Sequence, residues 1–201
     1  SDLGYYVKSE VLNSSNYGNV PQNRERIYIV GFKSKKQFDA FEFPESISLD
    51  KTVSDVLDEN VHERYYYNKH PLYGQLREAM QSKGTVYQWR RAYVRENKSG
   101  VCPTLTAKMG TGGHNVPLIK DYKGVRKLTP RECARLQGFP ETYKIPKDLP
   151  DTKLYKQFGN SVTVSVISRV ARQIKKALET KSNDVHRNAD KRTGAVLRAT
   201  T

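Results

Sequence analysis

The sequence is poor in cysteine and lacks any long apolar run. Two cysteines, Cys102 and Cys133, occur among 201 residues, and they form no C-x-x-C pair. A disulfide framework and a zinc ribbon are therefore unsupported, and a reducing, cytoplasmic compartment is expected. No apolar stretch approaches the roughly 20 residues of a membrane span, and no signal peptide is visible. We therefore expect no membrane span. The four histidines are scattered without metal-ligand spacing, so we expect no metal site either.

Acidic residues are also scarce relative to basic ones. The chain has 21 Asp and Glu against 35 Lys and Arg, a formal net charge of +14. This excess indicates a polyanionic partner, although a merely soluble basic protein would share it. From about residue 181 the sequence becomes polar and aperiodic, which predicts a disordered basic tail over residues 181–201.

What the sequence does contain is one short helix with both ends specified. Thr129 can cap it, Pro130 suits its first position, and Glu132 completes a capping box. Gly138 supplies a left-handed stop, and a proline follows two residues later. Its apolar face is thin, so this helix must pack into a larger structure. Cys133 lies on it, and a structural role for that thiol is the better interpretation.

The remaining pattern predicts a mixed α/β chain. The apolar run Ile27–Phe32 predicts a buried strand. A stripe of apolar residues predicts a long helix over residues 157–179, capped by Asn160 or Ser161. Between them, the pattern predicts short helices at Ser54–Leu57 and Gln75–Gln81 and strands at Tyr87–Val94 and Val101–Ala107.

Three short segments could contact anions. Arg24 and Arg26 lie two residues apart in an extended segment, where their guanidinium groups would point the same way and suit phosphate or carbonyl groups; ordinary surface salt bridges would explain them too. Residues 159–162 could bind an anion at a helix N-terminus, although plain capping explains them equally. Residues 87–95 combine Arg, Gln and aromatic side chains, which suits contacts to base edges or simple sheet packing.

The glycines at residues 110–113 do not form a nucleotide site. A G-x-G-x-x-G match would need glycine where Asn115 stands, and no Gly-Lys-Ser/Thr follows. These glycines would instead let the backbone approach a partner closely.

Three blocks, in this order, resemble one family. Residues 22–26 read Q-N-R-E-R, residues 126–140 read R-K-L-T-P-R-E-C-A-R-L-Q-G-F-P, and residues 157–162 read Q-F-G-N-S-V. Together they are similar to the DNA cytosine-5 methyltransferases, especially the bacterial restriction-modification type. The resemblance covers about residues 1–179.

The resemblance implies an incomplete α/β large lobe of the S-adenosylmethionine-dependent methyltransferase fold, plus a small, mixed, β-rich target-recognition domain. Residues 1–44 would be strands of the catalytic lobe, residues 45–156 the recognition domain, and residues 157–180 a helix returning to the lobe. Such enzymes methylate carbon 5 of a cytosine flipped out of duplex DNA, after attack by a cysteine thiolate.

The resemblance also implies site residues. Arg24 and Arg26 would hold the flipped cytosine, while Asn160, Ser161 and Val162 would border the S-adenosylmethionine. The residues expected to contact double-stranded DNA are Gln22, Gln88, Arg90, Arg91, Arg95, Thr104, Thr106, Lys108, Gly110, Gly112 and Gly113. Arginine side chains favour guanine edges, so these arginines indicate weakly that the recognised DNA sequence contains G·C pairs.

Several family elements are missing from this chain. The F-x-G-x-G cofactor loop, the P-C-Q nucleophile and the E-N-V glutamate are all absent. We therefore expect this chain alone to be inactive and to need an N-terminal half or partner subunit that carries the P-C-Q cysteine. Two alternatives stay open: a catalytically inactive DNA-binding module, and a relative of the RNA cytosine methyltransferases.

Overall fold

The computed structural model describes residues 3–90, 92–110 and 116–180, so the predicted tail lies outside the described residues. The strands are β1 Tyr6–Asn13, β2 Glu25–Phe32, β3 Tyr87–Arg90, β4 Tyr93–Glu96, β5 Pro117–Lys120 and β6 Val125–Lys127. The helices are α1 Ser14–Gly18, α2 Lys35–Ala40, α3 Tyr73–Ala79, α4 Pro130–Leu136, α5 Asp151–Asn160 and α6 Val164–Glu179. None of the helices in these ranges is long and apolar enough to cross a membrane.

The chain divides into two compact units, which are described separately. Within the described residues, the first unit contains residues 3–11, 27–45 and 168–180, and the second contains residues 12–26 and 46–167. The predicted domain boundaries at residues 44 and 157 differ from this division, because residues 12–26 and 157–167 group with the residues assigned to the recognition domain.

The first unit contains most of the two-stranded sheet β1-β2. Its small core is formed by Phe32, Phe41 and Ala177, with Phe38 and Ile174 packed against them. The predicted strand is present, but the prediction that it is buried is wrong: Ile27 and Ile29 are 62% and 66% exposed. In β2 the side chains alternate, and nothing in the described part of this unit covers the face that carries these two isoleucines.

The second unit contains an antiparallel sheet in the order β4-β3-β5-β6. Its register pairs Gln88 with both Arg95 and Pro117, so the start of β5 and the β3-β4 turn lie at one end of the sheet. The prediction of a single strand over Tyr87–Val94 is wrong. The chain turns at Ala92 and returns as β4, so β3 and β4 form a hairpin of two four-residue strands.

Two apolar clusters support this sheet. The smaller one packs Leu76 of α3 and its C-cap residue Met80 against Tyr87, Leu118 and Val125. The larger one lies against α4 and α5. Its most buried members include Cys102, Leu105, Met109, Ile119, Leu128, Cys133, Ala134 and Leu136. The two short helices predicted within residues 54–81 are present as a 3₁₀ turn at Ser54–Val56 and as α3, which begins two residues earlier than predicted.

The predicted short helix is confirmed as α4. The Thr129 hydroxyl accepts a hydrogen bond from the Glu132 N–H at 3.2 Å, and the Glu132 carboxylate accepts the Thr129 N–H at 2.6 Å. Pro130 occupies the first turn, and Gly138 adopts a φ of +73° just beyond the helix. Both ends therefore follow the local rules of capping.

The predicted helix over residues 157–179 is two helices. The first, α5, ends at Asn160, Ser161 is its C-cap in an extended conformation, and α6 begins at Val164. Neither Asn160 nor Ser161 caps the N-terminus of α6, so that prediction is wrong. The physical reason for the break is that the Arg24 guanidinium donates to the carbonyl oxygens of Gly159 and Ser161. These contacts fix the backbone between α5 and α6 in a non-helical path.

Candidate nucleic-acid interface

Gln22 and Arg24 lie inside the second unit, with exposed fractions of 0% and 3%. The Gln22 side chain donates to the Leu136 carbonyl at 2.7 Å and accepts the Leu105 N–H at 3.0 Å. The Arg24 guanidinium donates to three backbone carbonyls: Leu105 at 2.9 Å, Gly159 at 3.0 Å and Ser161 at 2.6 Å. These side chains hold backbone, so the prediction that Gln22 contacts DNA does not agree with its burial.

Arg26 differs from Arg24. It lies on β2, is exposed, and its guanidinium donates to the Glu25 carbonyl. The predicted pair of parallel guanidinium groups is therefore wrong, because Arg24 points into the protein interior. Of the two arginines, Arg26 alone is accessible to a nucleotide.

The anion site predicted at residues 159–162 assumed a helix N-terminus, and that assumption is wrong. Residues 159 and 160 are the last two of α5 and Ser161 is its C-cap, so the helix dipole presents partial negative charge here rather than free N–H groups. The Ser161 hydroxyl donates to the Phe158 carbonyl. Asn160 and Val162 are nevertheless exposed, so their side chains remain free to contact a ligand by another geometry.

Three of the predicted base-reading side chains lie on the β3-β4 hairpin. Gln88 is buried on β3, and its side-chain oxygen accepts a hydrogen bond from the Arg90 guanidinium at 3.0 Å. Arg95 is exposed on β4 opposite Gln88. Arg91 lies outside the described residues. The β3-β4 hairpin thus presents Arg90 and Arg95, and Gln88 orients Arg90.

The segment Val101–Ala107 is not the strand that the sequence predicted. Cys102 makes an isolated bridge to Gln22, and the Thr104 hydroxyl donates to the Asn23 carbonyl at 2.7 Å. The backbone of this segment bonds to side chains and to single residues of a segment that is distant in sequence, not to a neighbouring strand. Local β propensity cannot reveal such partners. Lys108 beyond this segment is exposed.

The predicted close approach of glycine backbone occurs at Gly110, but within the chain. A Cβ at Gly110 would lie 2.4 Å from a ring carbon of Tyr155. The Thr106 hydroxyl is buried and has no hydrogen-bond partner, which does not suit a direct DNA contact. Gly112 and Gly113 lie outside the described residues.

A buried ion network that no sequence motif predicted joins α4 to the sheet. The Arg126 guanidinium contacts both the Glu132 carboxylate and Asp121 at 2.8 Å. Burial acts to raise the pKa of Asp121, but hydrogen bonds from Tyr66 and Arg126 hold that pKa below its ordinary value. The only sequence signal for this ion pair is that Arg126 and Glu132, with opposite charges, lie within the same sequence block.

Neither cysteine is suited to nucleophilic attack. Both are free and fully buried, and burial raises the pKa of each thiol above its ordinary value. A thiol in that state is inert, because the thiolate is the nucleophile. No group of three metal-ligating side chains occurs within the described ranges.

Two solved structures share the fold of this chain. The methyltransferase EhMeth of Entamoeba histolytica aligns with a TM-score of 0.68 and 18% identity, covering 88% of this chain and 55% of that one. The Dnmt2 methyltransferase of S. pombe aligns with a TM-score of 0.61 and 20% identity, covering 88% of this chain and 60% of that one. The fold is thus that of the α/β methyltransferases.

The chain belongs to the C-5 cytosine-specific DNA methylases, whose family model matches residues 1–176. It is 55% identical over 179 residues to the Type II methyltransferase M.Bsp6I of Bacillus sp. (strain RFL6), covering 87% of this chain and 56% of that protein. It is 36% identical over 194 residues to M.HpaII of Haemophilus parainfluenzae, covering 86% and 52% respectively. The chain therefore spans about half the length of these relatives.

Proposed function

We propose that this chain is the DNA-recognition part of a DNA (cytosine-5-)-methyltransferase, which transfers a methyl group to carbon 5 of a cytosine flipped out of duplex DNA. The observation that carries the proposal is the family match over residues 1–176. The net charge of +14 supports a DNA partner, since phosphate contacts need a basic surface.

The accessible arginines divide between two roles in this proposal. Arg90 and Arg95, on the β3-β4 hairpin, read base edges together with Lys108. Arg91, which lies outside the described residues, is assigned the same role. Arg26 supports the flipped cytosine, because its guanidinium is exposed and offers a fixed fork of donors. Arg24 and Gln22 do not touch DNA, since both are buried.

S-adenosylmethionine is the methyl donor in this proposal, and it supplies an electrophilic methyl group when bound. Asn160 and Val162 would line one side of its site, because both side chains are exposed beside the Ser161 turn. These two residues cannot enclose a ligand of that size. The remainder of the site is contributed by residues outside this chain.

The nucleophile also comes from outside this chain. Cys102 and Cys133 are buried with raised pKa values, so neither serves as the attacking thiolate. We infer that a polypeptide with a P-C-Q cysteine docks on the first unit. The exposed apolar residues of the β1-β2 sheet supply a suitable face, among them Val7, Val11, Ile27 and Ile29. A two-stranded sheet is marginal alone and gains from such a cover.

Mixing tests the proposal directly. The chain is combined with the N-terminal half of a related methyltransferase, and transfer of labelled methyl groups from S-adenosylmethionine to duplex DNA is measured. Methylation is expected in the mixture and in neither component alone. A mixture without activity, although the chain binds DNA, would support the catalytically inactive DNA-binding module instead. Tighter binding to tRNA than to duplex DNA would favour an RNA methyltransferase relative.

Replacing Arg90 by alanine tests base reading at the hairpin end. Loss of one bidentate base contact should cost about 1–3 kcal/mol on the preferred sequence and relax discrimination. Affinity for the preferred duplex and for a scrambled one is measured as a function of salt. Lys144→Ala, an exposed change on a different loop, is the control and should leave the ratio of the two affinities unchanged. Equal weakening on both duplexes would show that Arg90 contacts phosphate.

A further inference from the structure

The backbone of Leu105 is held on both sides by two side chains of one distant segment. Gln22 accepts the Leu105 N–H at 3.0 Å, and Arg24 donates to the Leu105 carbonyl at 2.9 Å. All three residues are at least nine-tenths buried. In a sheet, the peptide groups of a neighbouring strand would make these two bonds. Here the side chains at positions i and i+2 replace that strand.

The same guanidinium also reaches the end of α5. Arg24 donates to the carbonyls of Gly159 at 3.0 Å and Ser161 at 2.6 Å while it holds Leu105. A guanidinium is a rigid plane with its donors in a fixed fork, so it fixes the positions of its acceptors relative to one another. Arg24 therefore links the segment around Leu105 to the turn between α5 and α6.

The residues after Leu105 have little freedom in this arrangement. A Cβ at Gly159 would lie 2.3 Å from the Thr106 carbonyl carbon and 2.4 Å from the Ala107 nitrogen, so the two backbones are in direct contact. Gly110 packs similarly on Tyr155. This segment leads directly to Lys108 and to the glycine-rich residues proposed to meet DNA. A shift at Leu105 would therefore move the residues that meet the bases.

We propose that Arg24 is a positioning residue for sequence recognition: by holding the carbonyls of Leu105, Gly159 and Ser161 it sets the path of residues 105–110, and it contacts neither base nor phosphate. This role rests on the proposed function. Its burial excludes direct contact in this arrangement, since 3% of the residue is exposed. A lysine would retain the charge but not the fork, because an ammonium cannot present the same planar set of donors.

The test compares Arg24→Lys with Arg77→Lys, the same substitution at an exposed arginine of α3 that has no assigned contact with DNA. Each 201-residue chain is used to select duplexes from a library with a randomised centre. Affinities are then measured for the enriched and a scrambled duplex over a range of salt. We expect Arg24→Lys to lose about tenfold in the ratio of these affinities, as one misread base pair would. The salt slope on the scrambled duplex is measured with Arg24→Met, which removes the charge; it should not change, whereas a lost phosphate contact would reduce it by about 0.9.

Two further measurements separate positioning from simple loss of fold. Partial unfolding would lower both affinities by the same factor and leave their ratio unchanged. Thermal unfolding of each variant is measured in parallel to show that it is folded. Hydrogen exchange of a peptide covering Leu105 should become faster in Arg24→Lys and stay unchanged in Arg77→Lys. Should Arg24→Lys fail to fold, Gln22→Met loosens the same Leu105 peptide from its other side and should also lower the ratio.

The outcomes that contradict the role are distinct from failure of the proposed function. If the wild-type chain enriches no sequence, the recognition function is wrong and this role with it. Wild-type enrichment with an unchanged affinity ratio in the folded variant overturns the role of Arg24 alone. A reduced salt slope in Arg24→Met would show that Arg24 is a phosphate contact.

Discussion

Glu132 uses one carboxylate for two purposes. It completes the capping box of α4 by accepting the Thr129 N–H, and it neutralises the buried Arg126 guanidinium. The first purpose follows from local sequence, since the residue lies three positions after the cap. The second depends on β6 bringing Arg126 to the same place, so the sequence alone indicated the helix but not the ion pair.

Replacing Glu132 by glutamine should destabilise the fold. Glutamine keeps the shape but leaves Arg126 buried with less opposing charge, a loss of about 3 kcal/mol in the free energy of unfolding. Glu141→Gln is the matched control, because Glu141 pairs with Arg135 while 64% of its side chain is exposed. That change should cost about 1 kcal/mol or less. Urea denaturation measures both, and equal costs would contradict the importance of the buried pair.

At the scale of elements, α4 and α5 differ in how far their ends could be predicted. The ends of α4 are specified by neighbouring residues, namely Thr129, Pro130 and Gly138, so capping rules located them. The end of α5 is not. Its apolar periodicity continues toward α6, and the break at Ser161 depends on carbonyl contacts with Arg24, far away in sequence. The same reason explains why residues 101–107 were mistaken for a strand.

Gly159 is where α5 meets the segment after Leu105, and alanine there should be destabilising. The added Cβ would contact the Thr106 and Ala107 backbone at 2.3–2.4 Å, which cannot yield as a flexible side chain would. The overpacking should cost about 1–3 kcal/mol. Gly74→Ala in α3 is the control, because a Cβ there meets nothing within 4 Å. It should be neutral or stabilise by at most about 1 kcal/mol. Thermal unfolding of both variants checks the prediction, which a stable Gly159→Ala would contradict.

At the scale of the whole molecule, the apolar face of the β1-β2 sheet is the feature that a partner should cover. Ile29→Lys is expected to abolish methyl transfer in the mixture with an N-terminal half, because a charge at the centre of the docking face would have to be buried. DNA binding by the chain alone should be unchanged. Tyr122→Lys, at a residue that is 68% exposed in the second unit, should leave methyl transfer intact. Full activity of the Ile29→Lys mixture would place the docking face elsewhere.

The alternation of the chain between its two compact units has a consequence for how specificity could be exchanged among relatives. The chain passes from one unit to the other after residues 11, 26, 45 and 167. A single recombination point near residue 45 would therefore transplant a recognition sheet without Gln22 and Arg24, the side chains that hold its Leu105 peptide. A successful graft must carry residues 12–26 along with residues 46–167, or enter a recipient that already supplies an equivalent clamp.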